Sequence, residues 1–189
     1  MNYYVLNSNN EIALFDTNKS RLQTTLKFKP ELADAKIHQT TKEIVELEGR
    51  FVFADEHTDE LVENAKAEKL EALTAYAGQF DQYKCDDMYV TSSIGGYKFN
   101  ADIRSQTNMQ GLIDVLADDA TTLYKDYDNE FRTMTKTDLV VLKSECLQNG
   151  QYLYQQKWTL QTKINACTSK EELDAIEIKF EMLEFNHAD

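Results

Sequence analysis

Histidine is scarce in this sequence, and its scarcity narrows the chemistry that the chain can perform. Only three of the 189 residues are histidines, and they are His38, His57 and His187. A hydrolytic triad needs a histidine base beside a nucleophile, with an acid to orient it. None of the three stands in a setting typical of such a site. We therefore expect no catalytic residue.

Cysteine is equally rare, with Cys85, Cys146 and Cys167 standing far apart. They form neither a C-x-x-C pair nor a Cys/His cluster, which are the spacings that predict zinc. Residues 126–130 resemble the start of a calcium loop but lack the glycine that such a loop needs. We expect no metal and no cofactor, and we expect three free thiols in a reducing compartment, with Cys146 and Cys167 buried on helices.

Basic residues are fewer than acidic ones: the sequence has 20 Lys and Arg and 33 Asp and Glu, which gives a formal charge of -13. Phosphate backbones and anionic membrane surfaces would repel such a protein. No run of 18 apolar residues occurs, and residues 1–5 do not resemble a secretory signal. We expect a protein of the cytoplasm, with no nucleic acid and no membrane as partner.

The first 55 residues carry short runs typical of β-strands. Residues 3–6 and 12–15 flank an Asn-rich turn and predict a hairpin. Residues 22–28 alternate with period two and predict a third strand. Residues 44–47 and 51–53 flank Gly49 and predict a second hairpin, with Gly49 at positive φ.

The rest of the chain carries helical spacing with one interruption. It predicts helices over residues 58–83 and 108–125, and a hairpin over 88–100 around Gly95 and Gly96. Thr135 and Asp138 resemble a capping box before a long helix. Because Gly150 could interrupt this helix, the pattern fits either one long helix or two shorter ones. Thr168 and Glu171 resemble a second box before a last helix through Leu183. The apolar faces of these last helices predict one buried cluster of Leu139, Leu142, Cys146, Leu160, Ile164, Ile176 and Phe180.

These elements predict an α+β fold, in which a β-hairpin-rich N-terminal module precedes an α-helical hairpin or bundle with one inserted β-hairpin. The predicted parts are an N-terminal module at 1–55, a connecting helix at 56–87 and a helical domain at 88–189. Strand edges in the N-terminal part can pair with another chain. Its aromatic residues are the candidate interface, with the acidic helices facing outward; they are Tyr3, Tyr4, Phe15, Phe51 and Phe53.

The second half also carries an ordered set of signals that resembles a known family. The set consists of the Gly-containing hairpin followed by residues 99–102, Ser105, residues 109–113, Asp128 with Asn129, the helix start at Thr135, Tyr154 and Trp158 in the long helix, and residues 164–168 before 171–173. This order resembles DUF4376, a domain of unknown function that recurs in proteins of tailed bacteriophages and prophages. Residues 124–127 depart from the pattern, because a Trp is expected there. Residues 43–45 and 49–56 look like a hairpin segment of tail-fibre assembly proteins.

The resemblance implies a non-enzymatic, tail-associated structural or adaptor protein whose partners are tail-fibre or baseplate proteins. It also implies that the chain works in the host cytoplasm during assembly, and in the virion tail if it is retained. A tail-fibre assembly chaperone that leaves the finished virion is one alternative. A glycan-acting hydrolase that uses carboxylate pairs such as Asp59 with Glu63 is another. We also expect a homo-oligomer or a complex, and a homotrimer is one form of it, because a trimeric fibre would be the natural partner.

Overall fold

The computed structural model describes residues 1–32 and 34–186. It consists of two compact units, Met1–Ala65 and Lys66–Asp189, whose boundary lies within one helix. His187 lies outside the described residues. The three-part division at 55 and 87 stays a prediction.

The first unit is built on a five-stranded antiparallel sheet with the order β3-β1-β2-β5-β4. Its elements are β1 (Asn2–Leu6), β2 (Ile12–Asp16), α1 (Lys19–Leu26), β3 (Ile37–Thr40), β4 (Ile44–Leu47) and β5 (Arg50–Phe53). Both predicted hairpins are confirmed. Gly49 has the predicted positive φ of 78°, and Glu48 before it is also in the left-handed region at 50°. Two such residues in a two-residue connection match the twist of the flanking strands.

The predicted strand at 22–28 is wrong, because this segment forms α1. The Asn18 side chain caps the helix by accepting the N–H groups of Ser20 at 3.0 Å and Arg21 at 3.1 Å. Leu22 is buried, but Phe28 at the end of the alternating run is 79% exposed. A good N-cap satisfies helical N–H groups locally. Here the stabilisation from the Asn18 cap outweighs the strand preference that the four alternating residues indicated.

The helix α2 (Thr58–Gly78) begins where the sequence predicts, but it ends five residues before the predicted Tyr83. Leu73 and Ala77 are buried on its apolar face. The backbone then passes through turns at Gln79 and Phe80 before the second unit's first strand.

The second unit surrounds one long helix. Its remaining elements are β6 (Tyr89–Thr91), β7 (Lys98–Asn100), α3 (Ile103–Val115), β8 (Thr121–Lys125), β9 (Phe131–Thr135), α4 (Lys136–Ala166) and α5 (Lys170–Asp174). The hairpin of β6 and β7 confirms the prediction for 88–100, and Gly95 and Gly96 both have positive φ.

The predicted helix at 108–125 is wrong in both of its bounds. Asp102 caps α3 by accepting the Ser105 N–H at 3.0 Å, so the helix starts earlier, and it ends at Val115. The following residues pair as a second hairpin, β8 with β9, which the sequence reading missed. The missed signal is the β-prone run at 121–124 followed by Asn129, which takes the positive φ of a turn.

The helix α4 is a single helix of 31 residues, so Gly150 does not divide it. The capping box of Thr135 and Asp138 is confirmed, with hydrogen bonds in both directions. Of the predicted buried cluster, Leu139, Leu142, Cys146, Ile164 and Phe180 are buried, whereas Leu160 and Ile176 are only partly buried. All three cysteines are free and Cys146 and Cys167 are buried, as predicted, and Cys85 is buried as well.

The predicted last helix is wrong beyond Asp174. Ser169, not Thr168, caps α5, and the chain then runs extended past α4 to a parallel bridge between Thr91 and Glu184. Ile176, Ile178, Phe180 and Met182 alternate with the exposed Glu177, Lys179 and Glu181. This period-two pattern is the signal of a strand with one covered face, and steps of three and four residues through the same segment concealed it. We call residues 176–186 the C-terminal segment.

The α+β class is confirmed, with an N-terminal antiparallel sheet followed by helices and inserted hairpins. Within the described residues, no helix has the length and apolar character needed to cross a membrane.

Candidate functional site

Four of the five predicted interface residues lie on one face of the N-terminal sheet. Tyr4 is directly opposite Phe15 on β2 and His38 on β3, and cross-strand partners point to the same face. The Tyr4 ring stacks on His38 at 5.1 Å and meets Phe53 edge-on at 5.3 Å, and Phe15 meets Phe51 at 5.0 Å. We call the side chains of Tyr4, Phe15, His38, Phe51 and Phe53 the aromatic face. All five are partly exposed.

Tyr3 does not belong to the aromatic face. It alternates with Tyr4 along β1 and therefore shares the opposite side of the sheet with Val5, which is fully buried. The helix α1 lies against β1 and β2, and its Leu22 is buried. One side of the sheet is thus covered by α1, whereas the aromatic side keeps part of its rings accessible. The interface role of all five predicted residues stays a prediction.

The border of the aromatic face carries paired charges. The Lys42 ammonium lies 5.3 Å from the Phe53 ring centre and forms ion pairs with Asp55 at 3.0 Å and Glu56 at 2.6 Å. These two carboxylates raise the pKa of Lys42 by hydrogen bonding. His57 lies at this border, 3.4 Å from Glu60. It stands at the entry of α2, beside this carboxylate.

A buried carboxylate holds the first hairpin of the second unit on α4. Glu145 accepts hydrogen bonds from the hydroxyls of Ser92 and Ser93 and from the Ser93 N–H, the last at 3.1 Å. The side chains of Ser92 and Glu145 are both buried. A serine beside a carboxylate can suggest hydrolysis, but here the carboxylate is saturated by donors and lies under the hairpin. Its geometry fits anchoring.

Two amide side chains of α4 bind the backbone of the C-terminal segment. Asn149 is fully buried, donates to the Tyr89 carbonyl at 3.1 Å and accepts the Leu183 N–H at 2.8 Å. Gln156, two turns further along α4, donates to the Glu181 carbonyl at 2.9 Å and accepts the N–H of the same residue at 2.8 Å. An amide side chain has the same donor and acceptor groups as a peptide group. The two α4 side chains therefore bind the C-terminal segment with the hydrogen bonds that a neighbouring strand would otherwise supply. The sequence reading missed both residues.

A cavity of about 310 Å³ lies in the second unit between the end of α2, the start of α3 and α4. Its apolar lining includes Phe80, Met88, Leu153 and Phe180. Cys146 also lines it, and burial raises the pKa of this thiol to about 12. Because the thiolate is the reactive form of cysteine, this shift disfavours reaction of Cys146 at neutral pH. The cavity therefore has no activated cysteine.

The segment that resembles a calcium loop is the turn of the second hairpin. Asp126 is buried, accepts the Glu130 N–H at 2.8 Å and pairs with the Arg132 guanidinium at 2.7 Å. Burial raises the pKa of Asp126, but these donors outweigh it and the net pKa is lowered. Arg132 also lies 3.8 Å from the Tyr97 ring centre. The Asp126 carboxylate is thus occupied by protein donors, and across residues 1–32 and 34–186 no three His, Cys, Asp or Glu side chains are grouped to hold a metal ion.

Comparison with other proteins places most of the second unit in one family. Neither the curated proteins nor the solved structures provide a match for this chain. The family model of DUF4376, a domain of unknown function, matches residues 64–178, which is more than half of the chain. The matched range includes both inserted hairpins, α3 and the whole of α4. This chain belongs to the DUF4376 family.

Proposed function

We propose that this chain is a non-enzymatic adaptor of a phage tail, which docks a tail-fibre or baseplate protein through its N-terminal sheet. The phage context derives from the resemblance to phage-encoded proteins described above. The aromatic face is the observation that carries the docking step. Partly exposed aromatic rings supply large contact area at low entropic cost, and they are enriched in the cores of protein interfaces.

The geometry of the sheet supports β3 as the edge at which the partner adds a strand. The sheet ends in β3 on one side and β4 on the other. Residues 36–42, around β3, contain two lysines and no carboxylate, whereas residues 43–48, around β4, contain three glutamates. His38 of β3 belongs to the aromatic face, so a strand added at β3 would extend that face. Strand addition gives affinity through main-chain hydrogen bonds and specificity through neighbouring side chains.

Co-purification of the tagged chain with the proteins encoded next to it, among which we expect a tail-fibre protein, tests the docking step. The Gln39→Glu variant places a carboxylate at the exposed centre of β3, and it should lose most of the captured fibre protein because charged edges resist strand addition. The matched control, Glu46→Gln, alters the exposed centre of β4 and should capture as much as the unchanged chain. Equal capture by both variants, or no capture by the unchanged chain, would contradict the proposal.

Mass spectrometry of purified particles separates an adaptor from an assembly chaperone. An adaptor remains in the virion tail after assembly in the host cytoplasm, so its peptides should be recovered in fixed ratio to the tail-fibre protein. A chaperone would be found in the lysate and missing from the particles.

A further inference from the structure

One side of α4 carries large, exposed apolar side chains at regular intervals, and two of them, Leu147 and Tyr154, also lie at the edge of the cavity described above. Val140, Leu147 and Tyr154 follow one another at steps of seven, and Trp158 lies one turn beyond Tyr154. Their exposed fractions are 49%, 56%, 45% and 54%. Seven residues are close to two helical turns, so these side chains form one line along the helix. We call this line the outer stripe.

Along α4 itself the outer stripe has no exposed carboxylate beside it, although Asp81, from the turn after α2, accepts a hydrogen bond from the Tyr154 hydroxyl at 3.1 Å. Between residues 139 and 167 the only acidic residue is Glu145, which is buried under the first hairpin. The charged residues otherwise are lysines, and the remaining polar residues are mostly Gln, Asn, Ser and Thr. This corrects the expectation that the helices present acidic surfaces to solvent, since α4 does not. In a chain of charge -13, this face can meet its own copy with little repulsion.

The order of side chains along α4 is self-complementary about its centre. Gly150 and Gln151 lie at the middle of Lys136–Ala166, and a Cβ built on Gly150 meets no atom within 4 Å. A two-fold axis between these residues places Leu147 against Tyr154 of a second copy. It also places Lys143, which donates to Gln110 in the single chain, against the ring of the second copy's Trp158. Isologous pairing of this kind closes after two copies.

We propose that the DUF4376 unit forms a two-fold symmetric dimer in which α4 pairs antiparallel with α4 of a second copy. A parallel pair would place Lys143 against Lys143 and Lys157 against Lys157, whereas the antiparallel pair separates these charges. The exposed large apolar residues and the scarcity of carboxylates on α4 are features of an interface core. This pairing goes beyond the proposed adaptor function and does not depend on the aromatic face.

Sedimentation equilibrium of the full chain gives the first test. The unchanged protein should have twice the 21.8 kDa mass of one chain. Leu147→Glu should reduce the mass to one chain while keeping the helical circular dichroism and the melting temperature of the folded monomer. The control is Val115→Glu on α3, since Val115 is also apolar and is 80% exposed but lies off α4, and this variant should stay dimeric. A monomeric or trimeric unchanged chain, or a dimeric Leu147→Glu variant, would overturn the proposal.

Cysteine cross-linking tests the direction of pairing. Gln151→Cys places a thiol beside the two-fold axis and should give a disulfide-linked dimer on mild oxidation, since the three native cysteines are buried. Gln161→Cys would lie opposite Val140 of the second copy and should not cross-link. Cross-linking at both positions would indicate a parallel pair and refute the antiparallel one.

Salt dependence tests which force drives the pairing. An apolar contact between two copies of charge -13 should tighten as NaCl screens their mutual repulsion. If instead the lysines of α4 docked on an acidic surface of the second copy, the affinity would fall with salt. A falling affinity would overturn the self-complementary α4 interface.

Discussion

Asn149, fully buried in α4, accepts the main-chain N–H of Leu183 at 2.8 Å. The same side chain donates to the Tyr89 carbonyl of β6 at 3.1 Å. One amide therefore joins a helix, a hairpin and the C-terminal segment. The segment forms only one bridge to β6, through the Phe185 N–H and the Thr91 carbonyl at 2.8 Å and through the Thr91 N–H and the Leu183 carbonyl at 3.3 Å.

Removing the Asn149 amide should release the C-terminal segment. Asn149→Ala leaves the Leu183 N–H and the Tyr89 carbonyl without this partner, and we expect a loss of about 1 to 3 kcal/mol in the free energy of unfolding. Denaturant titration measures this loss, and hydrogen exchange should accelerate at Leu183. Gln148→Ala, which alters the exposed neighbour, should change neither quantity. Unchanged exchange at Leu183 in Asn149→Ala would show that the amide does not hold the segment.

Truncating a side chain on the inner side of α4 should lower the free energy of unfolding of the monomer much more than truncating one on the outer side. Leu142→Ala removes a fully buried side chain and should cost about 2 to 5 kcal/mol, because transfer energy is lost and a cavity remains. Leu147→Ala, on the outer stripe, should cost less than about 0.5 kcal/mol at concentrations where the chain is monomeric. Thermal and denaturant unfolding measure both. Equal costs would mean that the faces of α4 are wrongly assigned.

The ion pair of Asp126 with Arg132 should make stability depend on pH in the acid range. The net pKa of Asp126 is lowered in the folded state, because the Glu130 N–H and Arg132 outweigh burial, which acts to raise it. The stabilisation is therefore fully present above the pKa that Asp126 has in the unfolded chain, about 4. It is lost as the pH falls through the lower pKa of Asp126 in the folded state. The stability difference between the unchanged chain and Asp126→Asn should shrink from pH about 6 towards pH about 2. Asp128→Asn, in the same turn but exposed, provides the control.

The three thiols should be unreactive until the chain unfolds. Cys85, Cys146 and Cys167 are buried, and burial raises the pKa of Cys146 to about 12, so almost no thiolate forms at neutral pH. A disulfide reagent at pH 8 should label no thiol in the native protein and all three in guanidinium chloride. Rapid labelling of Cys146 in the native state would require that the cavity admits the reagent and that the thiol ionises there.

Local signals determined a large part of the fold. The hairpins at 2–16 and 44–53 follow from β-prone runs around turn residues, and Glu48 and Gly49 take the positive φ that such a turn needs. The start of α4 follows from the capping box of Thr135 and Asp138, whose hydrogen bonds involve residues three apart. Leu139, Leu142, Cys146 and Ile164 were identified as core because helical spacing depends on local geometry alone. The ordered signals from 88 onward also identified the family that the family model confirms.

The candidate sites could be predicted only in part. The sequence indicated the aromatic residues of the N-terminal strands, but strand pairing decided that Tyr4, Phe15, Phe51 and Phe53 share a face and that Tyr3 lies on the other. Asn149 and Gln156 gave no signal of their own, because buried amides acquire a role only from the backbone that reaches them. The outer stripe was not predicted, because its exposure depends on which side of α4 the rest of the unit covers.

The sequence by itself determined three of the hairpins, the capping box at the start of α4, the buried side of α4 and the family. Only the tertiary structure decided the backbone conformation of residues 176–186, because the spacing of their apolar residues fits both a helix and a strand. A helix would have satisfied its own N–H and C=O groups, whereas an extended segment needs partners outside itself. Asn149, Gln156 and Thr91 provide those partners, and they come from elements that lie far away along the chain. Long-range hydrogen bonding, which no local pattern encodes, therefore selected the extended segment over a helix.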